Sequence, residues 1–98
     1  MFRWHRILRS KSVVIEIMSK PDCCLCDQAQ FAIDRLIGNM GTKAAGVSVK
    51  KINIQESPDL EAEYSLTIPV ILIDGEVVSE SRYDIPAIRK YLDEKLSI

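Results

Sequence analysis

Apolar residues along this chain change their period several times, and each change marks an element. "VVIEIM", Val13 to Met18, is a compact β-branched run and predicts a buried strand. "SKPD" interrupts it: Pro21 disfavours helical backbone at Lys20, and Asp22 is a good helix-capping residue, so a helix is expected from Cys23 or Cys24. Leu25, Ala29, Ala32, Ile33, Leu36, Ile37 and Met40 then recur at three- and four-residue spacing, one apolar stripe ended by Gly38-Asn39 and Gly41. "VSVKKINI", Val47 to Ile54, alternates as a second strand, with Lys50 and Lys51 breaking the pattern.

Ser57, with Pro58 at the first helical position and Asp59 and Glu61 in the first turn, opens a short helix reading "PDLEAEYSL". It gives way at "TIP" to a strand from Val70 to Ile73. Asp74-Gly75 is a two-residue hairpin signal, so Glu76 to Ser79 is expected to return antiparallel. Asp84 to Leu96 closes the chain as a helix with Ile85, Ile88, Leu92 and Leu96 inward. A strand-helix-strand unit needs a crossover and yields parallel strands. The order β-α-β-α-β-β-α therefore predicts an α/β fold: a mixed four-stranded sheet with helices on both faces.

At 98 residues the chain holds one core, and 47% hydrophobic with 28% charged residues is ordinary for a soluble domain. The longest apolar run, Ile68 to Ile73, is a strand's length and far short of the roughly 20 residues that span a bilayer. Net charge is −1, unevenly placed: residues 1–12 carry Arg3, Arg6, Arg9 and Lys11 with no acid, leaving −5 on the remainder. An acidic body argues against a nucleic-acid-binding face. The boundaries are thus a basic extension over 1–12 and one domain over 13–98. The extension reads first as a fraying terminus, with a short strand or an organelle-targeting segment as the alternatives. Trp4 and His5 within it read as surface packing rather than ligands.

All three cysteines, Cys23, Cys24 and Cys26, fall within "SKPDCCLCDQAQ". A structural zinc site wants four ligands, commonly in two separated pairs, and the one histidine lies in the extension. An iron–sulfur cluster shared across a dimer escapes that count and stays open as a metal-handling alternative. A copper chaperone also follows its first strand with C-x-x-C, but it continues to a final strand and lacks "TIP". Inert burial fits poorly with a loop entering a helix, which is ordinarily exposed. A redox dithiol fits more of the pattern. Cys23 and Cys26 form a C-x-x-C at a helix start after the first strand of an α/β order. There, unpaired amides and the positive dipole end favour thiolate over thiol, lowering a cysteine pKa from about 8.5 to as little as about 3.5. Lys20 adds a nearby positive charge. Cys26, one turn inward, is placed to resolve a mixed disulfide on Cys23. Cys24, next to Cys23, would close a strained ring and reads as a spectator, with an alternative resolving or glutathionylated role behind it. Tyr64, Tyr83 and Tyr91 read as half-buried packing residues, Met18 and Phe31 as core or helix packing, and Asp59 to Glu63 as a solvated face.

With "KPDCCLC" and "TIPV" in hand, the chain resembles the glutaredoxin-like branch of the thioredoxin superfamily over Val13 to Leu96, closest in pattern to its small C-x-L-C members. The resemblance implies a thioredoxin-like fold and a thiol–disulfide oxidoreductase in which Cys23 is the nucleophile and Cys26 resolves. It implies a cis-proline at Pro69 facing the cysteines, with the backbone of Ile68 pairing with the substrate and Lys20 lying near a glutathione carboxylate. No bound cofactor is implied. Glutathione is a candidate reductant, a thioredoxin-reductase-type protein is the other donor, and protein or glutathione disulfides are the substrates. No nucleic acid or membrane partner is expected, and a cytoplasmic setting follows from a single cysteine cluster without a secretory leader. The chain departs from the family where Cys24-Leu25 replaces Pro-Tyr. It departs again after the last strand, where "VVSESRYD" has no glycine pair and only Arg82 and Asp84 stand in for it. The tryptophan that precedes the thioredoxin cysteines is absent too. A protein-interaction module with an idle dithiol is a third class.

Overall fold

The computed structural model describes residues 12–96, so the basic extension and its Trp4 and His5 lie outside the described residues save for Ser12. Strand β1 (Val13–Ser19) leads to helix α1 (Cys24–Met40) and strand β2 (Val47–Asn53). Helix α2 (Pro58–Tyr64), strands β3 (Val70–Ile73) and β4 (Glu76–Glu80) and helix α3 (Ile85–Leu96) follow. The sheet order is β2-β1-β3-β4, with β1 parallel to β2, antiparallel to β3, and β3 antiparallel to β4. This is the expected mixed four-stranded α/β sheet, and β1 is one of its two inner strands, paired on both sides.

The period-two alternation of β1 divides the interior. Val13, Ile15 and Ile17 join Ile71 and Ile73 of β3 under α1 and α3, which contribute Ala29, Ile33, Leu36, Met40, Ile88 and Leu92. Met18, Val70 and Leu72 point the other way, into a smaller cluster with Ile54 that Leu60 and Tyr64 of α2 cover. Helices thus lie on both faces. The turns were well marked: Ser57 Oγ accepts the Leu60 N–H to cap α2. Asp74 and Gly75 both take positive φ in the hairpin, 50° and 87°. Asp74 Oδ1 also accepts the Val14 N–H at 2.9 Å, fastening that turn to β1. Asp84 caps α3 by accepting the Ala87 N–H at 3.1 Å.

Three expectations need correction. Helix α1 runs through Gly38 and Asn39 to Met40, because Gly41 at φ 61° is the residue that leaves helical backbone and ends it. Leu25 and Phe31 are not in the core: the inward stripe is Cys26, Ala29, Ile33, Leu36 and Met40, which turns Leu25 outward, 38% exposed, and Phe31 outward, 64% exposed. Phe31 instead lies under the guanidinium of Arg35, 5.8 Å from its ring centroid. The second strand ends at Asn53, where a short 3-10 turn over Ile54–Glu56 begins.

These placements predict a large contrast between neighbours on one helix. Ile33→Ala empties a fully buried site and should cost about 2–5 kcal/mol of unfolding free energy. Phe31→Ala should cost no more than about 1 kcal/mol. Urea denaturation of the two variants checks the difference.

Candidate active site

Strand β1 ends at Ser19, and five residues later, at Cys24, the chain is already coiling into α1. The turn between them is tight. Pro21 supplies a fixed φ at its second position and Asp22 takes φ 62° at its third, the pattern of a type II turn. Asp22 therefore does not cap the helix as expected, because a residue in the left-handed region is turning the chain instead. The cap is Cys23 itself, at φ −103° and ψ 102°, whose Sγ accepts the Cys26 N–H at an N···S distance of 3.1 Å. The Cys23 carbonyl accepts the Asp27 N–H at 3.1 Å. One of the orphan amides of the helix start thus points at sulfur rather than at a carboxylate.

Cys23 and Cys26 are joined as a disulfide with Cα atoms 5.2 Å apart, and Cys24 is free and exposed. Cys23 is half-buried, while Cys26 is wholly buried. The pair therefore has an outer sulfur that a partner can reach and an inner one that it cannot.

The strand register brings the second motif to the same place. Met18 pairs with Val70, so Pro69 lies across from the end of β1, just where the turn to Cys23 departs. The Ile68–Pro69 bond is cis, and Pro69 is fully buried. Ile68 is half-buried, and its N–H is already donated to the Tyr64 carbonyl at 3.1 Å. Its carbonyl accepts no hydrogen bond among the described residues. Only half of the backbone pairing expected at Ile68 is thus open to a partner.

Lys20 is exposed and borders a cavity of about 240 Å³, lined also by Ser19, Pro21, Asp22, Asp27, Lys51 and Asn53. Within it Lys51 Nζ lies 2.6 Å from Asp27 Oδ1. That ion pair escaped the sequence reading, although the two lysines that break the alternation of β2 were its trace. Lys20 and Asp22 belong to no ion pair among the described residues, so one positive and one negative charge stay uncommitted at this mouth.

The opposite side is acidic. Tyr64 is held above its ordinary range of about 10, first by partial burial and then by the charges of Glu63, Glu16 and Glu80. The turn after β4 satisfies itself. Ser79 Oγ donates to the Arg82 carbonyl at 2.7 Å and accepts the Asp84 N–H at 3.1 Å. Arg82 Nη2 stands 3.6 Å from Asp84 Oδ2. Arg82 and Asp84, which the sequence offered as ligand-holding substitutes, hold each other and the start of α3. Among the described residues, no three His, Cys, Asp or Glu side chains gather in a way that could hold a metal ion.

The chain matches the family model described as a glutaredoxin-like domain (DUF836) over residues 14–93. Among solved structures it is similar to the Northeast Structural Genomics target protein XcR50 from X. campestris, with 27% identity and a TM-score of 0.61. That likeness covers 82% of this chain and 96% of that one. A mutant thioredoxin from Halobacterium salinarum NRC-1 superposes with a TM-score of 0.61 at 22% identity, over 90% of this chain and 78% of that one, a likeness of fold. No curated protein matches the chain.

The turn at Asp22 predicts a particular pattern of tolerance. Asp22→Gly should stay within about 0.5–1 kcal/mol of the parent, since glycine adopts positive φ freely at a small entropic cost. Asp22→Val should lose about 1–2 kcal/mol or more, because a β-branched residue resists that region. Thermal or urea unfolding of the two proteins measures it.

Proposed function

Because the chain belongs to the glutaredoxin-like domain (DUF836) family, we propose that it is a thiol–disulfide oxidoreductase working through Cys23 and Cys26. The observation that carries the reading is the Cys26 amide directed at the Cys23 sulfur, at the start of a 17-residue helix. A donor fixed there, together with the positive end of the helix, stabilises negative charge on that sulfur when the pair is reduced.

In the forward reaction the Cys23 thiolate attacks a substrate disulfide. One substrate sulfur leaves as thiolate and takes up a proton, and Cys23 is held in a mixed disulfide. Cys26 then loses its proton and attacks Cys23 Sγ, releasing the second substrate thiol and forming the Cys23–Cys26 disulfide. Two electrons pass from the protein to the substrate. The burial of Cys26 supports the order of events, since only Cys23 is open to attack from outside. Pro69 and Ile68 shape the wall beside the outer sulfur, and the free carbonyl of Ile68 offers one hydrogen bond to a substrate backbone. Lys20 contributes a positive charge on the other side. A small thiol such as glutathione, or a reductase-type protein, returns the electrons. Cys24 takes no part.

Thiol trapping tests the division of labour. Cys26→Ser should accumulate a covalent adduct with a disulfide substrate on Cys23, Cys23→Ser should form none, and Cys24→Ser should turn over like the parent. Mass spectrometry of the trapped species reads the result. An adduct that forms only when Cys24 is present would contradict the assignment, and protein purified anaerobically with iron-dependent visible absorbance would favour a cluster-binding role for the same sulfurs.

A further inference from the structure

We propose that the disulfide this site favours belongs to a polypeptide with an apolar residue beside the attacked cysteine and a basic residue a few positions away, in preference to a glutathione mixed disulfide. The inference rests on the oxidoreductase reading above and names its substrate class.

Two leucines at the site face water. Leu66 is 95% exposed in the turn that leads into Ile68 and Pro69, and Leu25 is 38% exposed between the two cysteines. Neither position contributes to the two core clusters. Singly exposed leucines are common, but Leu25 stands between the two cysteines and Leu66 stands three residues ahead of Pro69, in the segment that β3 brings opposite the end of β1. Covering them on binding removes apolar surface from water, which favours a partner with apolar side chains of its own.

The polar groups on the β4 side that could hold a glutathione are engaged with one another. Its γ-glutamyl end carries both an ammonium and a carboxylate, and each requires a free partner of opposite charge or a free amide. On the β4 side, Asp84 caps α3 and faces Arg82, and the Ser81 N–H is donated to the Thr67 carbonyl at 2.8 Å. With the Ile68 N–H turned inward as well, the backbone gives a peptide a single acceptor at this point.

Charge completes the description of the partner. The charges of Glu63 and Glu80 both act on Tyr64, whose carbonyl accepts the Thr67 and Ile68 N–H groups, and Glu80 pairs with Val70, one residue beyond Pro69, so negative charge gathers next to the Thr67–Pro69 segment. A net-anionic tripeptide is repelled there, whereas a lysine or arginine displayed from an extended chain is attracted.

The experiment uses full-length protein reduced with dithiothreitol and freed of it, mixed in single turnover with three substrates. One is a synthetic peptide disulfide with leucine beside the cysteine and a lysine three residues on. The second is the same peptide with serine and glutamate in those places, and the third is a glutathione mixed disulfide of a short neutral peptide. The first should oxidise the Cys23–Cys26 pair about tenfold faster or more than either of the others. Leu66→Ser should shrink that ratio severalfold, and Glu63→Lys should remove the preference for lysine over glutamate. Equal or faster reaction with the glutathione mixed disulfide, or ratios untouched by both substitutions, would overturn the proposal while leaving the oxidoreductase reading intact. Failure of all three substrates to oxidise the pair would bring down that reading and the proposal with it.

Discussion

A single hydrogen bond, from the Cys26 amide to the Cys23 sulfur, ties the fold of this protein to its chemistry. Helix starts leave several amides without partners, and most chains satisfy them with a serine, threonine, aspartate or asparagine oxygen. Here the capping atom is the sulfur that the proposed function makes the nucleophile. On that reading the helix is capped by the group whose charge it also stabilises, and the cap cannot be exchanged for an ordinary oxygen without removing the nucleophile. Everything upstream serves that contact: β1 stops at Ser19, Pro21 and Asp22 reverse the chain, and Cys23 arrives extended at the helix entrance.

Why the contact is rigid follows from packing. Strand β1 is paired on both sides and sends Ile15 and Ile17 into the larger core beside Ile33 of α1. Strand and helix are thus locked to each other above and below the turn that joins them. The same strand sets the register of β3, and through it the place of Pro69 and Ile68. One central strand positions both walls of the site. The result is a dithiol with unequal members, an outer sulfur within reach of a partner and an inner one sealed by the core.

Much of this was legible in the sequence, because its signals were local and agreed with one another. The β-branched run before "SKPD", the Ser57-Pro58 helix start, and Asp74-Gly75 each carry a backbone preference that tertiary packing had no reason to override. What failed was equally specific. Asp22 has the chemistry of a cap but was needed one position earlier to turn the chain, which a propensity cannot distinguish. Leu25 fits the apolar spacing of α1, yet the small buried Cys26 takes the inward place beside it, and Leu25 rotates out. Phe31, read as core or helix packing, lies outside that stripe and is exposed beneath Arg35 instead. The pairing of β1 with β3, the Lys51–Asp27 contact and the inward-turned Ile68 amide are all non-local or geometric, and no period in the chain encodes them.

The claim at the centre is that the helix start holds Cys23 as an anion when the pair is reduced. The direct measurement is the pH dependence of alkylation at Cys23 in the reduced protein, followed residue by residue by mass spectrometry. The account predicts half-maximal reactivity at least about one pH unit below the 8.5 or so of a free cysteine. A midpoint at or above that value would mean that the amide and the helix do not favour the thiolate, and would contradict it.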